Sequence, residues 1–265
     1  MATTFQVADD VTVISTFEPV PGFGVLPINA HLFRGNESIL VDTGIPTAEA
    51  EVLEALAGLV GPDELKWVFI SHADDDHAGN LRRILELYPN AKVVTNFTTR
   101  AKLGGEFEIP FSRLFAINPG QTFETADRVL QVFQPPLYDA GGSLGFYDTK
   151  SGVLYGADTF GAIIPAPSNQ LTDVPEEPFY TGFSLFNRAN TPWVLDVDEA
   201  KFARSLDTVR SFHPAAITAG HLPTAYGKTE ELLRATAELT SQGPAPVPDQ
   251  AMIEAMLAQM AAASA

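Results

Sequence analysis

Cysteine is absent from all 265 residues, which removes disulfides, zinc ribbons, iron–sulfur clusters and thiol nucleophiles in one step. Basic side chains are scarce: 16 Lys and Arg stand against 33 Asp and Glu, a net charge of -17. A field of that sign repels phosphate backbones and anionic lipid surfaces, so neither nucleic acid nor membrane partners are expected. Long apolar runs are also missing. No stretch approaches the roughly 20 apolar residues of a membrane span, and Met1 to Asp10 has neither the basic segment nor the apolar run of a signal peptide. A cytoplasmic protein is the resulting expectation. Histidine occurs only five times, so the position of each one is informative.

What is present is a globular composition, 45% hydrophobic and 18% charged, with 20 Gly and 20 Pro spread along the chain. The length suits one domain over 1–265. Its last part, about 249–265, places Met252, Met256, Leu257 and Met260 at helical spacing and reads as a helix that docks or makes a homodimer. Short β-rich and helical runs alternate before it. Ser38 to Asp42 and the continuously apolar Lys66 to Ile70 read as buried strands, Thr47 to Val60 and Gly79 to Leu87 as helices. Lys92 to Thr95 predicts a further strand and Thr98 to Leu103 a short helix, while Arg113 to Ile117, Val129 to Phe133, Leu144 to Tyr147 and Val153 to Tyr155 predict a second sheet. Ile163 to Val194 has little periodicity and many aromatics, as expected of a long covering loop or lid. After it come a helix over Val197 to Phe212, a strand over Ala215 to Thr218 and a helix over Lys228 to Ser241.

The chemistry concentrates between the strand at Lys66 to Ile70 and the next helix. There Ser71-His72-Ala73-Asp74-Asp75-Asp76-His77-Ala78-Gly79 packs histidines and carboxylates into the spacing H-x-D-x-D-H-x-G. Crowded carboxylates repel one another unless a cation neutralises them, and imidazole with carboxylate is a metal-binding combination. Asp75, out of phase with its neighbours, reads as a cap or surface residue, and Gly79 permits close backbone approach.

This loop is similar to the H-x-[HE]-x-D-H-x-G signature of the metallo-β-lactamase superfamily, and other segments agree in order. Val41-Asp42-Thr43-Gly44, Tyr155-Gly-Ala-Asp158-Thr-Phe-Gly161 and Ile217-Thr-Ala-Gly-His221 resemble the superfamily's Asp-Thr-Gly strand end, bridging aspartate and last histidine. The resemblance implies an α/β fold, a four-layer αββα sandwich. Within the superfamily the carboxylate at Asp74 and the context of Asp158 look most like the oxygen-binding diiron domain of flavodiiron proteins, here standing alone with no FMN in this chain. By that resemblance His72, Asp74 and Asp158 hold one metal, and Asp76, His77, His221 and the shared Asp158 hold the other. Asp42 then supports the ligand loop through hydrogen bonds. The family places a histidine after P-x-L, whereas Pro135-Pro136-Leu137 is followed here by Tyr138 and Asp139, so the sequence leaves a phenolate, a carboxylate or a lost ligand open. His31 and His213 read as structural histidines, with His31 also a candidate for the pocket wall.

Iron is the expected metal, because three imidazoles and three carboxylates form a hard donor set; zinc and manganese are the alternatives. The implied function is binding or reduction of O₂ or NO with electrons from a separate donor. A second reading is hydrolysis of an ester, lactone or thioester, with Asp76 orienting a metal-bound hydroxide. A third is a degenerate mono-metal or gas-sensing member.

Overall fold

The computed structural model describes residues 1–105 and 107–263. Its layers follow from strands that have no wet face. In Ser38–Val41, Ile39 and Val41 point into one apolar layer and Leu40 into another; in Leu65–Phe69, Phe69 and Val68 divide in the same way. Such strands require cover on both sides of their sheet.

Seven strands form that sheet in sequence order: β1 (Thr3–Ala8), β2 (Val11–Val20), β3 (Gly24–Phe33), β4 (Ser38–Val41), β5 (Leu65–Phe69), β6 (Lys92–Thr95) and β7 (Leu114–Ala116). Pairing is antiparallel up to β4 and parallel from β4 to β7. The second sheet contains β8 (Thr122–Glu124), β9 (Val129–Phe133), β10 (Gly145–Asp148), β11 (Val153–Tyr155), β12 (Ala216–Ala219) and β13 (Leu222–Tyr226), in the order β13-β12-β11-β10-β9-β8. Only β11 and β12 pair in parallel there.

Helices α1 (Glu49–Leu59), α2 (Asp75–Ala78), α3 (Leu81–Leu87) and α4 (Phe97–Leu103) belong to the first half of the chain. Leu56 of α1 and Ile84 of α3 cover Leu32, Leu40 and Val68 on one face of the first sheet. In the second half come α5 (Glu176–Asn190), α6 (Glu199–Ser211), α7 (Thr229–Glu238) and α8 (Gln250–Ala263). Phe179 and Phe183 of α5, Phe202 of α6 and Leu232 of α7 join Leu154 and Ile217 in a core on the outer face of the second sheet. Between the sheets lie Val41, Phe69, Val132, Phe146 and Tyr155. The order is helix, sheet, sheet, helix, the αββα sandwich that the sequence implies. None of the described helices is long and apolar enough to cross a membrane.

Three expectations are corrected. Arg113 to Ile117 joins the first sheet, not the second: α4 carries the chain back so that β7 extends β6 in parallel. Ile163 to Val194 is not a loop, since α5 occupies Glu176–Asn190 and buries Phe179 and Phe183 four residues apart. Abundant Phe, Asn and Thr lowers intrinsic helix propensity there, and packing overrides it. The helix expected over Gly79 to Leu87 is split, with one turn at Asp75–Ala78 inside the histidine motif and a second helix at Leu81–Leu87. The strands before Ser38, and β8 and β13, also add to the predicted set. The tail is helical over Gln250–Ala263; Ser264, Ala265 and the side chain of Met260 lie outside the described residues.

Phe146 bridges the two sheets, with ring centroids 5.3 Å from Phe33, 5.0 Å from Phe69 and 5.6 Å from Tyr155. Phe146→Ala removes that bridge and should cost about 3–5 kcal/mol, read as a lowered midpoint in urea denaturation.

Candidate metal centre

Two of the parallel strand pairs, β4 with β5 and β11 with β12, end at the same place. Asp42 follows β4, His72 follows β5, Asp158 lies just past β11 and His221 just past β12, so the strand ends of both sheets deliver polar side chains to one cleft. Asp74 occupies the N-cap position of α2, and Asp76 and His77 sit in its single turn. Two glycines make the approach possible. A Cβ on Gly220 would meet His77 Cε1 at 2.4 Å, and one on Gly79 would meet the Asp75 carbonyl at 2.2 Å.

Asp42 organises the cluster from behind. It is fully buried in the left-handed region at φ 53°. Its carboxylate accepts from Ser71 N at 2.8 Å and Ser71 Oγ at 2.7 Å, and meets His77 Nδ1 at 2.7 Å. The Tyr155 hydroxyl, from the second sheet, donates to the same Oδ2. His72 Nδ1 lies 3.0 Å from Ser71 Oγ, and His221 Nδ1 donates to the Pro27 carbonyl at 2.7 Å. Asn29 of β3 holds the turn that carries His221, donating through Nδ2 to Ala219 O at 3.0 Å and Leu222 O at 3.1 Å on either side of it. All three imidazoles thus use Nδ1 for support and turn Nε2 inward, the arrangement in which an outer partner fixes a ligand's orientation.

The inward atoms form three groups in which ligand atoms lie within 4.8 Å of one another: His72, His77 and Asp158; Asp76, His77 and His221; His72, Asp74 and Asp139. Asp158 faces both ways. Its Oδ2 is 3.7 Å from His72 Nε2, and its Oδ1 is 2.8 Å from His77 Nε2 and 3.5 Å from His221 Nε2. His72 Nε2 is also 3.9 Å from Asp74 and 3.8 Å from Asp139, while His221 Nε2 is 3.2 Å from Asp76. His72 Nε2 and Asp158 Oδ1 are buried without a hydrogen-bond partner, the 2.8 Å approach to His77 being close but misaligned. Buried polar atoms are seldom left so, and the Nε2 atoms of His77 and His221 stand 3.2 Å apart. Orphaned atoms, converging imidazoles and facing carboxylates fit a pair of bound cations.

The electrostatics agree. Burial raises the Asp158 carboxyl, but the charges of His72 and His77 and bonds from the imidazoles overcome it and hold the group well below its usual range. Burial lowers His221, yet Asp158 and Asp76 raise it to about 9; His77 is likewise raised by Asp158 and Asp42. His72 is lowered, by burial first and then by the charge of His77. Burial, with Asp158 and Asp74 nearby, pushes Asp139 up to about 7.

Every histidine and aspartate singled out as a ligand in the sequence is brought to this cleft; Tyr138 is not. Thr159 Oγ1 clamps Leu137 at both ends, accepting from its N at 3.1 Å and donating to its O at 2.6 Å. The next ring, Tyr138, packs on Trp193 at 4.9 Å, and Asp139 turns its carboxylate toward His72. Asp75 is exposed. His31 is buried, with Nε2 2.5 Å from Thr218 Oγ1, and burial holds it neutral with a pKa of about 3. His213 takes φ 48° in the turn after α6, outside the three groups. Asn190 and Phe186 escaped sequence reasoning because their segment gave no helical signal. Asn190 Nδ2 donates to Asp158 Oδ2 at 3.0 Å, and the Phe186 ring lies 5.2 Å from His221. Tyr155 carries a weak signal, its alternation in β11 pointing it between the sheets.

Comparison with known proteins gives a consistent result. The metallo-beta-lactamase superfamily model matches residues 23–221. A putative diflavin flavoprotein A 2 of Nostoc sp. is 29% identical over 133 residues, 50% of this chain and 23% of that protein. An anaerobic nitric oxide reductase flavorubredoxin of Pectobacterium atrosepticum is 25% identical over 134 residues, 50% of this chain and 26% of that protein. The matched stretch therefore spans about a quarter of these relatives. Among solved structures, rubredoxin oxygen:oxidoreductase from Desulfovibrio gigas superposes with a TM-score of 0.80 at 18% identity, covering 91% of this chain and 62% of that one.

Two outcomes follow from the geometry. In chelator-treated protein, the raised pKa of His221 gives stability that is fully present below the unfolded value near 6.5 and is lost as pH rises through about 9. Asp139, raised to about 7, adds a loss in the same direction. The urea midpoint should therefore fall from about pH 6 to about pH 9.5, and a flat profile would refute the assigned contacts. Tyr155→Phe removes one donor from the buried Asp42 carboxylate and should destabilise by about 1.5–3 kcal/mol in the same assay.

Proposed function

The chain belongs to the metallo-beta-lactamase superfamily, and from that membership we propose that it holds two metal ions, iron in the working protein, and binds or reduces O₂ or NO with electrons from a separate donor. The placement of Asp158 carries the proposal. One carboxylate offers Oδ2 toward His72 and Oδ1 toward His77 and His221, as a ligand shared by two neighbouring ions must. His72, Asp74 and Asp139 would hold the first ion with Asp158, and Asp76, His77 and His221 the second. Asp139 takes the role left open at Tyr138.

Three imidazoles, four carboxylates and no thiolate make a donor set harder than a histidine-rich zinc site, which favours iron or manganese and speaks against the hydrolytic reading. Two irons bound there would supply the one-electron steps that reduction of O₂ or NO requires. The chain's own residues prepare the cleft. Asp42 orients His77 through Nδ1, Pro27 orients His221, and Asn190 steadies Oδ2 of Asp158. Phe186 lays an apolar ring beside His221 and limits water on that side. The Asp139 carboxyl, raised to about 7, is partly protonated near neutrality in the metal-free protein, and a cation held there would displace that proton. The names of the relatives, an oxygen oxidoreductase and a nitric oxide reductase, support O₂ and NO over an ester substrate.

Elemental mass spectrometry on protein made in medium containing iron, manganese and zinc should find about two irons per chain, consistent with a dinuclear site. Zinc at that stoichiometry would transfer the proposal to hydrolysis, and less than one metal of any kind would overturn it. Asp158→Ala should release both ions and Asp139→Ala only one. Tyr138→Phe should leave metal content and visible spectrum unchanged, and a lost charge-transfer band would make the phenolate a ligand after all.

A further inference from the structure

Helix α5, which covers the outer face of the second sheet, also reaches the cleft. A Cβ on Gly182 would collide with the Ile163 carbonyl, and one on Gly161 would meet Phe186 Cε1 at 2.5 Å, so the helix lies in direct contact with the segment after Asp158. Asn187, buried, donates through Nδ2 to the Gly161 carbonyl at 2.9 Å and locks the two together. One turn further on, Asn190 Nδ2 donates to Asp158 Oδ2 at 3.0 Å and Trp193 Nε1 to the Tyr138 carbonyl at 2.8 Å. On the dinuclear reading above, we propose that Asn190 and Trp193 form a positioning clamp for the first ion alone, which sets the affinity for that ion and leaves the second untouched.

Both contacts fall on donors of the first ion. Asn190 addresses Asp158 Oδ2, the oxygen 3.7 Å from His72 Nε2, and leaves Oδ1 to His77 and His221. Trp193 grips the irregular turn that brings Asp139 to 3.8 Å from the same His72 nitrogen, and its ring packs on Tyr138 at 4.9 Å. The link between the two contacts is stiff. Thr191 N donates to the Asn187 carbonyl at 2.9 Å, Val194 N donates to the Thr191 carbonyl at 3.0 Å, and Val194 is fully buried. One rigid segment therefore fixes two ligands of one ion, and an outer partner that fixes a ligand's orientation raises metal affinity.

The second ion's donors take their support elsewhere. His77 leans on Asp42 at the end of β4, and His221 on the Pro27 carbonyl of β3. Toward that side α5 presents the Phe186 ring, 5.2 Å from His221, and no hydrogen bond to His77, His221 or Asp76 among the described residues. The second ion is thus braced from the first sheet and the first ion from α5. Of the first ion's three carboxylates, Asp74 is 47% exposed, which leaves Asp139 and Asp158, the two that the clamp holds, to fix the site.

Cobalt(II), titrated into chelator-treated full-length protein in competition with a chromogenic chelator, tests the clamp, and Asp139→Ala marks which of the two binding steps belongs to the first ion. The unaltered protein should bind two ions. Asn190→Leu, which keeps the volume and removes the donor, should weaken the first ion about 10–100-fold, and Trp193→Leu about tenfold, each with the second ion unchanged. The double variant should lose less than the product of the single effects, because either change alone already frees the pair of ligands. Circular dichroism and the urea midpoint show whether each variant is folded. Trp193→Phe, which keeps a ring on Tyr138 and loses only the Nε1 donor, replaces Trp193→Leu if that variant is not. Equal weakening of both ions, no weakening of either, or single effects that simply multiply would overturn the clamp and leave the dinuclear reading intact. Fewer than two cobalt ions in the unaltered protein would overturn both.

Discussion

The fold and the cleft depend together on one buried anion, the carboxylate of Asp42. A fully buried aspartate is expensive unless every lone pair is answered, and here Ser71, His77 and Tyr155 answer it. Those partners come from the loop after β5, the turn of α2 and the strand β11, so a single charge joins both sheets and sets the angle of one imidazole. Burial pushes the Asp42 carboxyl upward, but the imidazoles of His77 and His72 and the Ser71 amide bring it below its usual range. The left-handed backbone at Asp42, and again at Ala157 and Phe160 on either side of Asp158, is the local strain that this convergence requires.

The inner face of the cleft poses the complementary problem, because Asp74, Asp76, Asp139 and Asp158 approach one another with only three imidazoles between them. Without cations, protons fill the gap: His77 and His221 are raised and Asp139 holds its carboxyl proton to about neutrality. Protons and metal ions compete for the same atoms, so the cleft stores charge that a cation releases on entry.

Legibility from sequence tracked distance along the chain. His72, Asp74, Asp76 and His77 were readable because they crowd one short turn after a strand whose uninterrupted apolar run marks it as buried on both faces. Asp158 and His221 lie far along the chain and were placed only by the resemblance of their segments to the superfamily's bridging aspartate and last histidine. The choice between Tyr138 and Asp139 was not readable, for they are adjacent in an irregular turn with no period to say which side chain faces in; in the fold the Asp139 carboxylate turns toward His72 and the Tyr138 ring toward Trp193. Helix α5 stayed hidden for a different reason. Its residues are poor helix formers that become helical by packing Phe179 and Phe183 against the second sheet, and Asn190 reaches Asp158 only in consequence.

The residues of the cleft come from both sheets, and the chain length between them is large: four within His72 to His77, then Asp139, Asp158 and His221. No unfolded segment gathers them, so a cation would find its full set of donors only in the assembled sandwich and would act as a bolt across the seam between the sheets. The seam beneath it is packed with Phe33, Phe69, Phe146 and Tyr155, while the helices are fastened to the outer faces by separate cores. Metal supply would thus govern how tightly the two halves of the sandwich are closed, making the protein's lifetime in the cell a gauge of available metal.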